Sequence, residues 1–269
     1  MHKKQKANIA IVIAVYKWVD ALNLVFKSIE KQTILPNEII LADDGSGKDM
    51  KNLISSFKKK SNLKILHIWQ KNMGFRKPMC VNKAIAKSRS EYIITIDGDM
   101  ILHPKFIEDH LNFRRRNSFV NGMRAKISPE ATIDMIKNEN YILKTFDRRL
   151  KSKRYSLRNL FLCKLFSGKK IFNKFYNFNG CNMAFYREDF IKVNGYNEDI
   201  VGWGRDESEF ASRLINNNIT RRDLRFNAIA YHLHHEGASR SRLDINHSIF
   251  LNTLINKTKK CKNGIDKYI

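Results

Sequence analysis

Four short runs hold the side chains best suited to chemistry. Asp97-Gly98-Asp99 sets two carboxylates one residue apart. Such a pair suits a hard divalent cation, Mg²⁺ or Mn²⁺, that completes its shell with water and substrate phosphates. Asp43-Asp44-Gly45-Ser46 reads either as a turn, which Asp and Gly favour, or as an acid placed to accept a base N–H or a ribose hydroxyl. In Gly202-Trp203-Gly204-Arg205-Asp206-Glu207-Ser208-Glu209 two acids open a helix. First-turn electrostatics account for Asp206. Glu207 precedes Phe210, Ala211 and Leu214 at helical spacing, so it projects to the apolar side. A partly desolvated general base is the functional reading of that placement. Glycines on both sides of Trp203 leave its ring either covering a sugar face or buried in the core. Finally, Ala230-Tyr231-His232-Leu233-His234-His235 offers three imidazoles, one of which could complete a metal shell with Asp99. Strand alternation groups His232 with His234 and leaves His235 near the strand end, and spacing alone does not choose among them.

These groups need a scaffold, and the first hundred residues supply one by alternating two periods. Ile9–Val15 is a continuous apolar run, as in a strand buried on both faces. Val19, Leu22, Val25, Phe26 and Ile29 follow at helical spacing. A strand over Glu38–Ala42, a helix marked by Met50, Leu53, Ile54 and Phe57, and a strand over Lys64–Trp69 come next. Pro78 fits the first turn of a helix running to about Ser88, before a fourth strand at Tyr92–Ile96. This βαβαβαβ order predicts an α/β fold with a mostly parallel sheet flanked by helices. Both acidic clusters then fall at strand C-termini, where ligands bind in such sheets. Beyond residue 100 the expected elements are a helical stripe at Phe106–Leu111, a strand near Phe119–Arg124, a helix near Glu188–Val193, another at Asp206–Asn217 and a strand at Ala228–Leu233. We divide the chain into 1–125, which ends in the Asp97-Gly98-Asp99 strand and the elements after it; 126–177, a basic aromatic insertion; 178–245, which holds the Trp203–Glu209 and His232–His235 runs; and 246–269, a basic tail.

Composition narrows the classes. The chain has 269 residues, 43% of them apolar, which excludes disorder despite a formal charge of +24. Cys80, Cys163, Cys181 and Cys261 are too scattered for a disulfide scaffold or a zinc site, so a reducing, cytoplasmic setting is expected. Ile9–Val15 is too short to span a bilayer, and Tyr16-Lys17-Trp18 after it is no signal-cleavage site, although Lys3, Lys4 and Lys6 precede it. The charge excess is uneven: between Lys144 and Lys174 lie 11 basic residues and one acid, Asp147, interleaved with large apolar side chains. That mixture reads as a solvated insertion or as a segment seated on anionic lipid, with the chain peripheral on the inner membrane face. No specific nucleic acid is expected as a partner.

In order and spacing these motifs resemble the family 2 glycosyltransferases, with the A-type nucleotide-diphospho-sugar transferase fold as a single domain. The likeness runs from Ile9–Tyr16, where the family usually has Pro at Ala14, through Gln32-Thr33, Glu38–Ser46, Gly74-Phe75-Arg76 and Asp97-Gly98-Asp99. Phe178–Phe185 and Gly202–Glu209 are similar to the C-terminal segment of galactosyltransferase-like and chondroitin-synthase-like members. The resemblance implies a UDP-sugar donor bound by main chain at Ala14 and Tyr16, by Asp44 on the uracil, by Gly74 and Arg76 near the diphosphate, by Asp97 near the ribose and metal, and by Trp203 at the sugar. It implies Mn²⁺ or Mg²⁺ on Asp99 and His232, with His235 as the alternative ligand. Glu207 becomes the base, with Asp206 holding an acceptor hydroxyl. The expected activity is inverting transfer of a hexose, galactose or glucose ahead of an N-acetylhexosamine, to a bacterial surface glycan such as lipopolysaccharide, O-antigen or capsule. A lipid-linked acceptor is among those the resemblance allows. Two rivals stand beside it. A nucleotidyltransferase would want a Gly-rich loop after the first strand, where Ala14-Val15-Tyr16-Lys17-Trp18 has no Gly. A basic polyanion-binding module leaves Asp97, Asp99 and Glu207 without a role.

Overall fold

The computed structural model describes residues 8–168, 170–171, 175–176 and 178–269. Lys3, Lys4, Lys6, Lys169, Phe172 and Lys174, which entered the charge arguments above, lie outside the described residues. The first half alternates strictly: β1 (Ile9–Val15), α1 (Val19–Glu30), β2 (Glu38–Asp43), α2 (Lys48–Lys60), β3 (Lys64–Trp69), α3 (Lys77–Lys87) and β4 (Tyr92–Asp97). Then come β5 (Met100–Leu102), α4 (Phe106–Phe113), β6 (Ser118–Asn121), β7 (Ala125–Lys126), α5 (Pro129–Lys137), α6 (Leu160–Phe166) and β8 (Lys170–Ile171). The chain continues through β9 (Met183–Tyr186), α7 (Arg187–Lys192), α8 (Asp206–Asn216), β10 (Thr220–Asp223), β11 (Ala230–His232) and α9 (Leu243–Ile255).

The main sheet has the order β3-β2-β1-β4-β9-β6-β10-β8. β1 pairs in parallel with both β2 and β4, as the βαβ pattern requires. The period of two along β1 divides the core into layers. Ile9, Ile11, Ile13 and Val15 pack with α1 and α2, while Ala10 and Val12 face Cys80, Val81, Ala84 and Ile85 of α3 and, beyond them, Phe210 and Leu214 of α8. A third cluster joins Ala131 and Met135 of α5 to Tyr231 of β11 and the flanking Ile229 and Leu233.

Two features of the second half position the site. β9 runs antiparallel between β4 and β6. Its reversed direction brings residues 178–182, which precede it, to the carboxyl edge of β4 beside Asp97. A small second sheet, β5-β11-β7, hangs from the same edge, and β11 pairs with β5 so that His232 lies opposite Met100. Within 246–269 the structure has the rest of α9, which packs on α8, and a closing 3₁₀ turn at Ile265–Tyr268. Cys261 and Ile265 there are buried.

Candidate functional site

The sharp turn after β4 is held by Gly98, whose N–H donates to the Ala14 carbonyl at 2.8 Å. Asp97 and Asp99 leave that turn in different directions. Asp97 Oδ1 accepts from Lys77 Nζ at 2.8 Å, and the same ammonium lies 3.1 Å from Glu207 Oε1. Lys77, in the first turn of α3, therefore ties the strand-end acid to the first turn of α8. Burial works to raise the Asp97 carboxyl, but the Lys77 ammonium outweighs it and holds Asp97 below its ordinary range. Against the same desolvation, Asp97 and Glu207 keep Lys77 protonated, well above its usual value.

Asp206 and Glu207 separate into two protonation states. Burial, then the Glu207 charge beside it, pushes Asp206 well above a normal carboxylate. Burial acts on Glu207 too, but Lys77 counters it and keeps Glu207 low. The two carboxyls are thus pushed in opposite directions, Asp206 toward its acid form and Glu207 toward its carboxylate, the division expected of an acid and a base at one site. Glu207 presses against the backbone of Gly180, where any Cβ would overlap its carboxylate. Gly180 is thus glycine because the acid occupies the space a side chain would need.

Asp99 turns to the small sheet. Its carbonyl accepts from Leu233 N at 3.1 Å, and its carboxylate lies 3.6 Å from His232 Nε2 and 3.2 Å from His235 Nε2. One ligand atom from each of the three falls within 4.8 Å of the others. Burial, reinforced by Asp97, lifts Asp99 to about 7, and Oδ1 is buried without a hydrogen-bond partner. Burial and then Arg124 push His232 down to about 3, which leaves a neutral imidazole. A carboxylate with one partnerless buried oxygen, facing an imidazole on each oxygen, is a donor set a divalent cation takes. Alternation had grouped His232 with His234, but β11 ends at His232 and the period lapses there. His234 instead donates its backbone N–H to Thr132 Oγ1, and His235 returns to Asp99.

The residues expected on the donor side lie at or near the carboxyl ends of β1, β2 and β3. Asp44 is buried and accepts from Gln70 Nε2 at 2.6 Å and from the Arg76 backbone N–H at 2.7 Å. Burial raises its carboxyl despite these bonds. Its neighbour Asp43 is structural, accepting from Ser46 N and facing His67 Nε2 at 2.8 Å. Arg76 meets Asp44 through its backbone, while its Nε donates to the Met73 carbonyl. Gly74 takes φ +81° and donates to Asn72 Oδ1. Tyr16 is half exposed with its hydroxyl bonded to Asn72, and the Ala14 carbonyl is engaged by Gly98. Across the opening, Gly202 and Gly204 adopt φ +81° and +103°, and Gly202 N donates to the Phe75 carbonyl at 2.9 Å. Trp203 between them is 41% exposed, so its ring is no core residue.

The structure brings Asp97, Asp99, Asp206, Glu207, His232 and His235 to one edge. Lys77 and Gly180 were not singled out as functional from sequence. A cation in the first turn of a helix is electrostatically disfavoured, and that was the available signal at Lys77. The signal at Gly180 was weaker, since the overlap with Glu207 exists only in three dimensions.

The chain belongs to glycosyl transferase family 2, whose model matches residues 10–193. A second model, described as the N-terminal domain of galactosyltransferase, matches 164–236 and so includes Gly180 and Glu207. A chondroitin synthase of Escherichia coli is 22% identical over 251 residues, covering 83% of this chain and 34% of its own length. One from Pasteurella multocida is 21% identical over 200 residues, covering 70% of this chain and 20% of its own. The chain thus spans a third or less of these relatives. Among solved structures, S. aureus TarS superposes with a TM-score of 0.64 at 13% identity, over 93% of this chain and 40% of that one. The mannosyltransferase PcManGT from Pyrobaculum calidifontis, solved with GDP-Man and Mn²⁺, has a TM-score of 0.62 at 13% identity, over 94% and 64%. These two share the fold.

Proposed function

We propose that this chain is an inverting hexosyltransferase that moves galactose or glucose from a UDP-sugar to a hydroxyl of a bacterial surface glycan, such as lipopolysaccharide, O-antigen or capsule, forming a β-linkage. The observation that carries the reading is the Lys77 bridge, which ties Asp97 at the strand end to Glu207 in the first turn of α8, with Asp206 as the acid next to Glu207. Glu207 takes the proton of the acceptor hydroxyl as that oxygen forms its bond to the anomeric carbon. The bond from that carbon to the UDP oxygen breaks on the opposite face, and the electron pair leaves with UDP. Asp206 holds the acceptor hydroxyl in line, and Lys77 keeps Glu207 deprotonated until the hydroxyl arrives. Asp44 accepts the uracil N–H, and main chain at Ala14 and Tyr16 flanks the base. Arg76 and Gly74 shape the loop near the diphosphate, Asp97 meets the ribose, and Trp203 covers the sugar. Asp99 and His232, with His235, would hold Mn²⁺ or Mg²⁺, which when bound neutralises the charge on the leaving diphosphate.

Relatives and neighbours support the donor class. TarS has been solved with UDP and with UDP-GlcNAc. A validoxylamine A glucosyltransferase of Streptomyces hygroscopicus is 20% identical over 227 residues, 77% of this chain. The test is UDP release from UDP-Gal, UDP-Glc, UDP-GlcNAc and UDP-GalNAc with Mn²⁺, alongside UDP binding by calorimetry. Slow hydrolysis of UDP-Gal or UDP-Glc, abolished by EDTA and restored by Mn²⁺, is expected. Chelator-insensitive turnover would overturn the metal assignment, and absence of UDP binding would overturn the donor assignment.

A further inference from the structure

α6 presents its apolar side to water. Leu160, Phe161, Leu165 and Phe166 are 56%, 68%, 53% and 55% exposed, whereas Cys163 between them is buried. A surface helix ordinarily turns polar residues outward, so four large apolar side chains on seven residues amount to an uncovered contact face. The helix is firmly placed. Asn159 caps its N-terminus through Leu162 N at 3.0 Å and donates its own N–H to the Phe226 carbonyl, and Gly168 N donates to Asp223 O at 3.2 Å. Phe166 also meets the Phe226 ring, with 5.9 Å between centroids.

The sequence around the helix is strongly basic. From Arg148 to Phe166 there are seven Lys and Arg residues and no acid. Arg149 and Arg158 are engaged by Asp147 and Asp109. Arg148, Lys151, Lys153, Arg154 and Lys164 stand exposed, as does Arg225 beside Ser167. Apolar side chains flanked by unneutralised cations are complementary to a bilayer surface carrying anionic headgroups, where rings enter the acyl boundary and cations meet phosphates.

We propose that α6 and its basic surround dock this chain on an anionic membrane. β10 runs parallel to β6, and β6 and β4 both run antiparallel to β9, so Asp223, to which the end of α6 is tied, lies at the same carboxyl edge as Asp97. Docking through α6 therefore places the contact at the same edge of the sheet as Asp97. The membrane contact itself is independent of the transferase reading, and its test uses neither donor nor acceptor.

The experiment is cosedimentation of the full chain with vesicles of phosphatidylcholine alone and of phosphatidylcholine mixed with phosphatidylglycerol. The double variant Phe161→Ser, Leu165→Ser is run beside it, and circular dichroism reports on its fold. Both side chains are already more than half exposed, so the fold should survive. Binding to the anionic vesicles alone, weakened by salt and reduced at least about tenfold in the variant, is expected. Binding to neither vesicle overturns the proposal. Anionic binding that the variant leaves unchanged assigns it to charge elsewhere and overturns the role of α6. A dimer in lipid-free solution that the variant dissolves, without vesicle binding, makes the face a contact between copies and also overturns it.

Discussion

At the scale of single residues, the site works by forcing neighbouring acids apart in charge. Asp206 and Glu207 are adjacent, yet the Lys77 ammonium reaches Glu207 at 3.1 Å and leaves Asp206 to its burial. Asp97 and Asp99 divide similarly, one claimed by Lys77 and the other turned to two imidazoles. Gly180 gives a direct probe of the first pair. A methyl there must displace the Glu207 carboxylate, whose atoms are the nearest it would meet. Gly180→Ala should lower kcat by at least about tenfold with UDP binding unchanged, because a displaced base loses part of its 10²–10⁴-fold contribution. Matched steady-state kinetics and UDP calorimetry check this, and unaltered kcat would detach Glu207 from the reaction. The histidines offer an internal control, because His234 and His235 are sequence neighbours with different roles. His235→Ala should weaken Mn²⁺ binding in calorimetry by about tenfold or more, and His234→Ala should leave it unchanged. Equal effects from both would contradict the ligand set.

At the scale of elements, legibility followed the strength of the hydrophobic period. The run Ile9–Val15 and the stripe Val19–Ile29 could be read directly, because both faces of β1 and one face of α1 are buried. β10 could not: Thr-Arg-Arg-Asp has no apolar residue, and Arg221 is buried there by stacking on Phe178 and pairing with Asp223. The direction of β9 was equally hidden, since four apolar residues carry no record of whether their neighbours run parallel. The candidate site was legible where acids ended apolar runs, at Asp44 and Asp97, and illegible where one group reached across elements, as Lys77 does. Glu38, at the opposite edge of the sheet, is another such group. It accepts from Ser88, from Arg89 N and from both donors of Ser90, and pairs with Lys64. Burial opposes its charge, but these donors, Ser88 foremost, hold its carboxyl at about 2 against an ordinary 4.5. A carboxyl depressed on folding stabilises above its unfolded value and loses that contribution as pH falls. The difference corresponds to about 3 kcal/mol, present above pH 4.5 and lost toward pH 2. Urea unfolding across that window should show the loss in the native chain and a flatter profile in Glu38→Gln. Identical profiles would remove Glu38 from the account.

At the scale of the whole molecule, the strand order and the charge distribution have separate tasks. The sheet gathers the ends of β1, β2 and β4 at one edge and, through the reversed β9, brings Gly180 and α8 to the same edge. The excess of cations, +24 over the full chain, does not build that edge, where the candidate site groups are mainly acids and imidazoles. No described helix is long and apolar enough to cross a membrane, so any membrane contact through these helices is a surface contact. In the proposed reaction one carboxylate at this edge, Glu207, performs the proton transfer of a sugar transfer. This role is tested most directly by comparing the native chain with Glu207→Gln in Mn²⁺, following both UDP affinity and single-turnover transfer from the active donor. UDP should bind both proteins alike, and the variant should transfer about 10²–10⁴-fold more slowly. Near-native transfer by a folded Glu207→Gln variant would contradict the account.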